Sequence, residues 1–306
     1  MKNLRDQKTH SEEYFGDSRD GWWNRDFIEL MAKRWDLNKR NNLLEVGCGI
    51  GHWIEVIAPH LGTEHAVKNI TGIDKEKKWI EKIAKKFTNN KTAHYKFFQG
   101  DAYKLPFKND SFDIVTCQTL LIHLSDPARA VKEMTRVCKK NGIIICVEPE
   151  NIFNMFHLSS LTHMLPVSEV AEIFEIWLRY ERGKMNLGEG NNSMGGVVPG
   201  IFASHKLKNI KVYNSDKTYP IFPPYYKNKE FQTLIKQENE WHKKATGPWD
   251  KEKVRTYYKA SGGDMKDFSR NWKLLEKNFQ KYCQAIKENN LTAGGGGVFY
   301  LISGIK

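Results

Sequence analysis

The chain has 306 residues, 40% of them hydrophobic and 12% aromatic, which is ample for one large domain with a buried core and too long for a minimal module. With 27% charged residues, a mean hydropathy of -0.61 and no aliphatic run longer than Ile143 to Val147, it offers no membrane span. Net charge is +12, and residues 206–306 alone hold twenty Lys/Arg against ten Asp/Glu. That surplus reads as a lysine-clothed solvated surface, with a nucleic-acid or other anionic partner as the alternative.

Charged residues scattered through the first twenty positions leave no apolar block for a secretory leader, so a cytoplasmic protein is expected. The five cysteines, Cys48, Cys117, Cys138, Cys146 and Cys283, contain no C-x-x-C pair and sit mostly in apolar runs. Reduced thiols are expected, with neither a disulfide framework nor a zinc site.

Short apolar runs alternate with amphipathic stretches from Asn41 to Glu148, the pattern of strand and helix units wound into a parallel sheet. Leu43 to Val46 reads as a first strand, Gly51 to His60 as a helix, Asn69 to Asp74 as a second strand and Lys75 to Phe87 as a second helix. Strands follow at His94 to Phe98 and Ser111 to Gln118, then a helix from Ala128 to Lys139 opened by Pro127, then a fifth strand from Gly142 to Glu148. Residues 152–182 are helical in period and read as a lid or insertion. Ile201 to Leu207 finishes a helix, Asn209 to Tyr213 is a sixth strand, and 228–290 is polar and helical with breaks at Gly247-Pro248 and Gly262-Gly263. Val298 to Ile302 returns to the sheet as the last strand. The expected organisation is an N-terminal helical cap at 1–40, a Rossmann-like core at 41–150, and lid helices with the last two strands at 151–306.

The first strand ends in Glu45-Val46-Gly47-Cys48-Gly49-Ile50-Gly51, a G-x-G-x-G turn that opens a helix. Glycines there let backbone approach a ligand, and the helix start presents unpaired amides. A dinucleotide fingerprint needs its third glycine at position 52, where this chain has His52, which disfavours pyrophosphate binding. Asp74 ends the second strand, where a carboxylate can accept both hydroxyls of a ribose. Asp101, in Gly100-Asp101-Ala102, follows the third strand and is placed to accept from an adenine amine.

Taken in order, Glu45 to Gly51, Gly72-Ile73-Asp74, Gly100 to Phe107 and Ser111 to Val115 resemble the class I S-adenosylmethionine-dependent methyltransferases, nearest to the ubiquinone/menaquinone and sterol methyltransferase branch. The resemblance covers about residues 41–150. It implies an α/β fold, a Rossmann-like doubly wound seven-stranded sheet with helical insertions after the fifth strand and before the last. It also implies S-adenosyl-L-methionine as cofactor and S-adenosyl-L-homocysteine as product. By the same carry-over, Glu45 with the backbone of Gly47, Cys48 and Gly49 holds the methionine end, Asp74 with Lys75 beside it takes the ribose, and Asp101 and Ala102 frame the adenine. Gln118 lines the floor near the sulfonium, and Tyr14, Trp22 or Trp23 closes over the cofactor from before the first strand. The interval from Gly51 to Asp74 is longer than usual and the segments after Glu148 are enlarged, departures that bear on the acceptor.

Methyl transfer needs alignment and exclusion of water more than side-chain chemistry, and a general base only where the acceptor is protonated. His123, just past the fourth strand, is the candidate base, with a purely structural loop histidine as its alternative. Glu148 and Glu150 flank Pro149 where a substrate would be met; two acids without a third ligand give no reason to expect a metal. The aromatics Tyr213, Tyr219, Phe222, Tyr225, Tyr226, Trp241, Trp249, Tyr257 and Tyr258 either wall a pocket or form the core of the added helices. The expected activity is methyl transfer to a small molecule by in-line displacement; the alternatives are RNA or protein methylation through the basic last third, and a non-catalytic nucleoside-binding scaffold.

Overall fold

The computed structural model describes residues 19, 21–63, 65–155, 159–218, 220–225, 250–295 and 297–306. Its framework is one mixed sheet of seven strands, β1 (Asn42–Val46), β2 (Asn69–Asp74), β3 (His94–Gln99), β4 (Phe112–Gln118), β5 (Cys138–Pro149), β6 (Lys208–Asn214) and β7 (Phe299–Ile305), in the order β3-β2-β1-β4-β5-β7-β6. The first five run parallel, and β7 enters antiparallel between β5 and β6. Strand order reverses direction between β1 and β4, so the crevice at the carboxyl ends of these two strands is the topological switch point.

Alternation along each strand splits the core into two layers. Leu43, Ile114, Ile143, Ile145, Val147 and Leu301 face one side, covered by α1 (Arg25–Arg34), α2 (His52–Ile57) and α3 (Lys77–Phe87) through Phe27, Met31, Trp53, Ile54, Ile57, Ile83 and Phe87. Leu44, Val46, Val115, Cys117, Ile144, Cys146 and Ile302 face the other, covered by α4 (Pro127–Val137) and α7 (Val198–Ser204) through Val131, Met134, Val198 and Phe202.

Three boundaries differ from the sequence reading for local reasons. The helix expected over 51–60 is a short α2 followed by a 3-10 turn at Ala58–His60, because Pro59 cannot donate the next helical hydrogen bond. The lid helix expected over 152–182 breaks into α5 (Asn151–Met155), a turn at Thr162–Met164 and α6 (Val167–Asn186), with Pro166 at the N-cap of α6. β5 starts earlier than Gly142, since Cys138 turns to extended backbone directly after α4 and pairs with Phe112.

The predicted break at Gly262-Gly263 separates α8 (Lys251–Ala260) from α9 (Met265–Lys287); Asp250 and Asp264 cap these helices by accepting from the Lys253 and Lys266 amides. α6, α8 and α9 bury a core of their own, Ile176, Trp177, Tyr180, Tyr257, Tyr258, Phe268 and Trp272. Tyr257 and Tyr258 therefore build the helical addition, and Tyr225 closes a small cluster with Ile221 and Leu291. Tyr219, Tyr226, Trp241, Trp249 and the Gly247-Pro248 break lie outside the described residues. All five cysteines are buried free thiols, and among the described residues no helix is long and apolar enough to cross a membrane.

A buried side-chain bond helps fasten α2 to the sheet: the Trp53 indole donates to the Thr116 hydroxyl at 2.9 Å, with both side chains in the core. Thr116→Val keeps the shape and strands the indole N–H, so chemical denaturation should report a loss of about 1–3 kcal/mol; a change within error would show that the bond is dispensable.

Candidate functional site at the switch point

The turn after β1 is built by three glycines in the left-handed region, Gly47 at φ 72°, Gly49 at 49° and Gly51 at 84°. A Cβ at Gly47 would lie 2.7 Å from the Leu120 side chain, and one at Gly51 would lie 2.8 Å from Ile83 and 2.9 Å from Phe87. The first glycine thus lets the β1 turn nest against the β4 turn, and the third lets α2 start directly on α3. The amides of Gly47 and Cys48 both donate to the Ile73 carbonyl, at 2.7 and 3.0 Å. Cys48 points inward, packed on Gly72, and burial beside Glu45 and Asp74 pushes its thiol well up. At this position the backbone, not the sulfur, is what the turn presents.

Asp74 sits at the end of β2 as expected and has a second duty that sequence reading missed. Its Oδ2 accepts from the Gly49 amide and its Oδ1 from the Glu76 amide, each at 2.9 Å, so the carboxylate braces the glycine turn while keeping lone pairs for a ligand. Burial holds its pKa above the usual value against those hydrogen bonds. Lys75, beside it, is exposed, and its carbonyl accepts from the Gln99 amide side chain.

Glu45 is 2% exposed, and its Oε2 has no hydrogen-bond partner among the described residues. Burial, then the nearby Asp74 charge, raises its pKa well above the ordinary value; the opposing cation is Arg19. Burial lowers the Arg19 guanidinium to about 10, against the pull of Glu45, and it lies 4.8 Å over the Trp22 ring. Arg19, Trp22, Trp23, His52, Val56 and Gln118 line a cavity of about 350 Å³. Gln118 is buried at the end of β4, and Trp23 packs on Trp53 and Phe299 with centroids 5.6 and 5.8 Å away. Sequence reading missed Arg19, one basic residue among several in an irregular segment. Tyr14 lies outside the described residues.

Asp101 is exposed on the loop after β3, its Oδ1 accepting from the Tyr103 amide at 2.8 Å. α4 holds this loop, and with it Ala102: Glu133 accepts from the Leu105 amide, and Arg136 donates to the Leu105 and Phe107 carbonyls. His123 is exposed on the 3-10 turn Leu121–His123 and, like Glu45, Asp74 and Asp101, is not among the residues that line the cavity.

The two acids placed beside a substrate both accept from backbone amides, Glu148 inside the core and Glu150 nearer the surface. Glu148 is fully buried, and its Oε1 accepts from the Leu120 and Leu121 amides at 3.1 and 2.8 Å. It clamps the turn after β4 from below. Glu150 accepts from the Gly196 amide at 3.0 Å, holding the loop before α7 over the end of β5.

Comparison with known proteins places this geometry. The methyltransferase-domain family matches residues 44–146, the stretch from β1 to β5 that carries the glycine turn, Asp74, Asp101 and Gln118. Over that stretch the chain is similar to methyltransferase domains. Among curated relatives, an uncharacterized methyltransferase, YcgJ of Bacillus subtilis, is 34% identical over 40% of this chain and 46% of its own length. A demethylmenaquinone methyltransferase of Staphylococcus aureus is 30% identical over 45% of this chain and 56% of its own. The chain thus spans about half the length of the curated relatives it matches. The solved structure of YcgJ shares the fold at a TM-score of 0.51 with 18% identity, covering 92% of this chain and 99% of that one. A phosphoethanolamine N-methyltransferase of Haemonchus contortus, solved with S-adenosyl-L-methionine, does so at 0.50 with 15% identity, covering 96% and 55%. The architecture is that of the class I S-adenosylmethionine-dependent methyltransferases.

Burial sets a pH signature on the sheet core and its helical addition. Glu148 is raised from 4.5 to about 7, Glu181 on α6 to about 6, and Glu45 well up, each chiefly by burial. A raised carboxyl binds its proton more tightly folded than unfolded, so its stabilisation is full below about 4.5 and lost as pH rises through the folded value. For Glu148 this is on the order of 3 kcal/mol between pH 4.5 and 7. Glu148→Gln keeps an acceptor for the Leu120 and Leu121 amides, and thermal melts across that range should show a flatter pH profile than the parent. Parallel profiles would show that the carboxyl does not titrate there.

Proposed function

We propose that this chain is an S-adenosylmethionine-dependent methyltransferase whose acceptor is a small molecule, with residues 41–150 as the cofactor-binding core and the segments on either side closing it. The observation that carries this reading is Glu45, a carboxylate buried at the switch point with one oxygen unpartnered among the described residues. An ammonium group fits that oxygen and relieves the mutual repulsion of Glu45 and Asp74. Arg19 supplies the opposite charge for an α-carboxylate, so the pair matches the methionine end of the cofactor. Asp74, still able to accept, suits the ribose hydroxyls, and Asp101 with Ala102 suits the adenine edge. Gln118 lies on the floor of the crevice, and Trp22 and Trp23 wall it against water.

When bound, the cofactor supplies a methyl group already activated on a sulfonium, so the protein's task is to align an acceptor and exclude solvent. Glu148 and Glu150 contribute by fixing the backbone of the acceptor side. His123, on the turn after β4, is the candidate to take a proton from an acceptor that carries one. The small-molecule reading is supported by the demethylmenaquinone methyltransferase relative and by the helical addition beside the carboxyl ends of β4 and β5.

Calorimetric titration with S-adenosyl-L-homocysteine, with NAD alongside, tests the reading. One-site binding of the former alone is expected, weakened at least tenfold in Asp74→Ala and in Arg19→Met, about 1.4 kcal/mol or more. No binding by the folded protein would overturn it. An ammonium beside Glu45 favours the ionised carboxyl, so binding should release protons and tighten as pH rises, until Glu45 is ionised in the free protein as well. Calorimetry in buffers of different ionisation enthalpy reads that proton directly, and proton uptake would contradict the assigned role of Glu45.

A further inference from the structure

The turn at 120–123 forms the acceptor-side edge of the switch-point crevice, and two sets of buried groups hold it. From the sheet, Glu148 accepts its Leu120 and Leu121 amides. From the helical addition, Lys184 on α6, itself 2% exposed, donates to the Ile122 carbonyl at 3.1 Å. Lys184 also donates to Asn192 Oδ1, and the Asn192 side-chain amide donates to Glu181 Oε1 at 3.1 Å. Gly190, at φ 90°, lies so close to the Ile122 carbonyl that a Cβ would overlap it. The loop that follows is tied to the end of β5, with the Met194 and Gly195 amides donating to the Pro149 carbonyl and the Ser193 hydroxyl accepting from the Ile152 amide.

We propose that Lys184, Asn192 and Glu181 form a buried polar latch through which the α6–α8–α9 addition positions the 120–123 turn, making Lys184 a positioning residue for the acceptor side of the site. The proposal rests on the reading of this crevice as a methyltransferase site, since it is that reading which gives the turn an acceptor to meet. The alternative, an addition held to the core by apolar contacts alone, leaves no reason to bury an ammonium and a carboxylate at this junction. Desolvation makes such burial costly. The bonds to the Ile122 carbonyl and to Asn192 offset that cost only while the addition is docked, so docking and turn geometry are coupled.

Other charged groups facing the latch are Glu189 and Lys253 for Lys184, and Glu150 for Glu181. Tyr257 of α8 donates to Glu189. The Gly183 backbone lies directly on Tyr257 of α8, so α8 is fixed to the same turn of α6 that carries Lys184. Burial lowers Lys184 to about 8 and raises Glu181 to about 6, which agrees with a junction closed to water.

Residue-resolved hydrogen exchange on the full chain tests the latch. In Lys184→Met, which matches the stem and removes the ammonium, the Leu120, Leu121, His123 and Leu124 amides should exchange at least tenfold faster, in step with the C-terminal half of α6, while β1 and β2 keep their protection. Binding of S-adenosyl-L-homocysteine should change less than threefold. Acceleration confined to α6, or none, would overturn the latch. Loss of protection in β1 and β2 as well would mark a globally unstable variant; Asn192→Ser, which shortens the bridge without adding volume, is then read by the same criteria. Failure of the parent protein to bind S-adenosyl-L-homocysteine would strike the methyltransferase reading instead, and the exchange result would still decide whether the addition holds the turn.

Discussion

The glycine turn after β1 is held by groups that belong to β2, and the site depends on that fastening. The Ile73 carbonyl takes two amides of the turn and Asp74 takes a third, so backbone that a ligand must approach closely is rigid before any ligand arrives. Side chains are absent at the first and third of these glycines because each would strike another element, Leu120 at the first and Ile83 and Phe87 at the third. Rigid donors and acceptors lose little freedom on binding, which is the advantage of preorganisation.

Around that turn the charges are arranged with little water to screen them. Asp74 is close enough to raise the proton affinity of Glu45 beyond what burial does, and Arg19 enters from a separate segment to face Glu45. A site of this kind suits a ligand carrying both an ammonium and a carboxylate. Buried charge left uncompensated is costly, and a zwitterion compensates both ends at once.

The helical addition has its own core of aromatic side chains and meets the Rossmann-like core through polar groups as well as apolar ones. Its contact with the turn after β4 includes Lys184, which Asn192 braces from within the addition, and the close-packed Gly190. Polar bonds of fixed geometry specify a docking position more narrowly than apolar packing does, because a displaced polar group is left unpaired in a dry environment. The turn after β4 is thus held jointly by Glu148 in the sheet and Lys184 in the addition.

Sequence by itself determined the α/β class, the order of strands and helices, the G-x-G-x-G turn and the acids at Asp74 and Asp101, because periodicity, glycine spacing and strand-end position are local properties. It also marked Gly262-Gly263 as a helix break, for the same reason. Tertiary structure alone decided which way the acids point. Glu148 and Glu150 flank a proline at a strand end, where sequence suggests a substrate contact, yet both turn to backbone amides supplied by residues about 30 and 46 positions away. Arg19 beside Glu45 and Lys184 beneath Ile122 were equally illegible, since each pairing joins distant segments and a lone basic residue in a lysine-rich chain carries no local signal. Chain pattern specifies which surfaces are buried; only packing specifies which buried polar groups find one another.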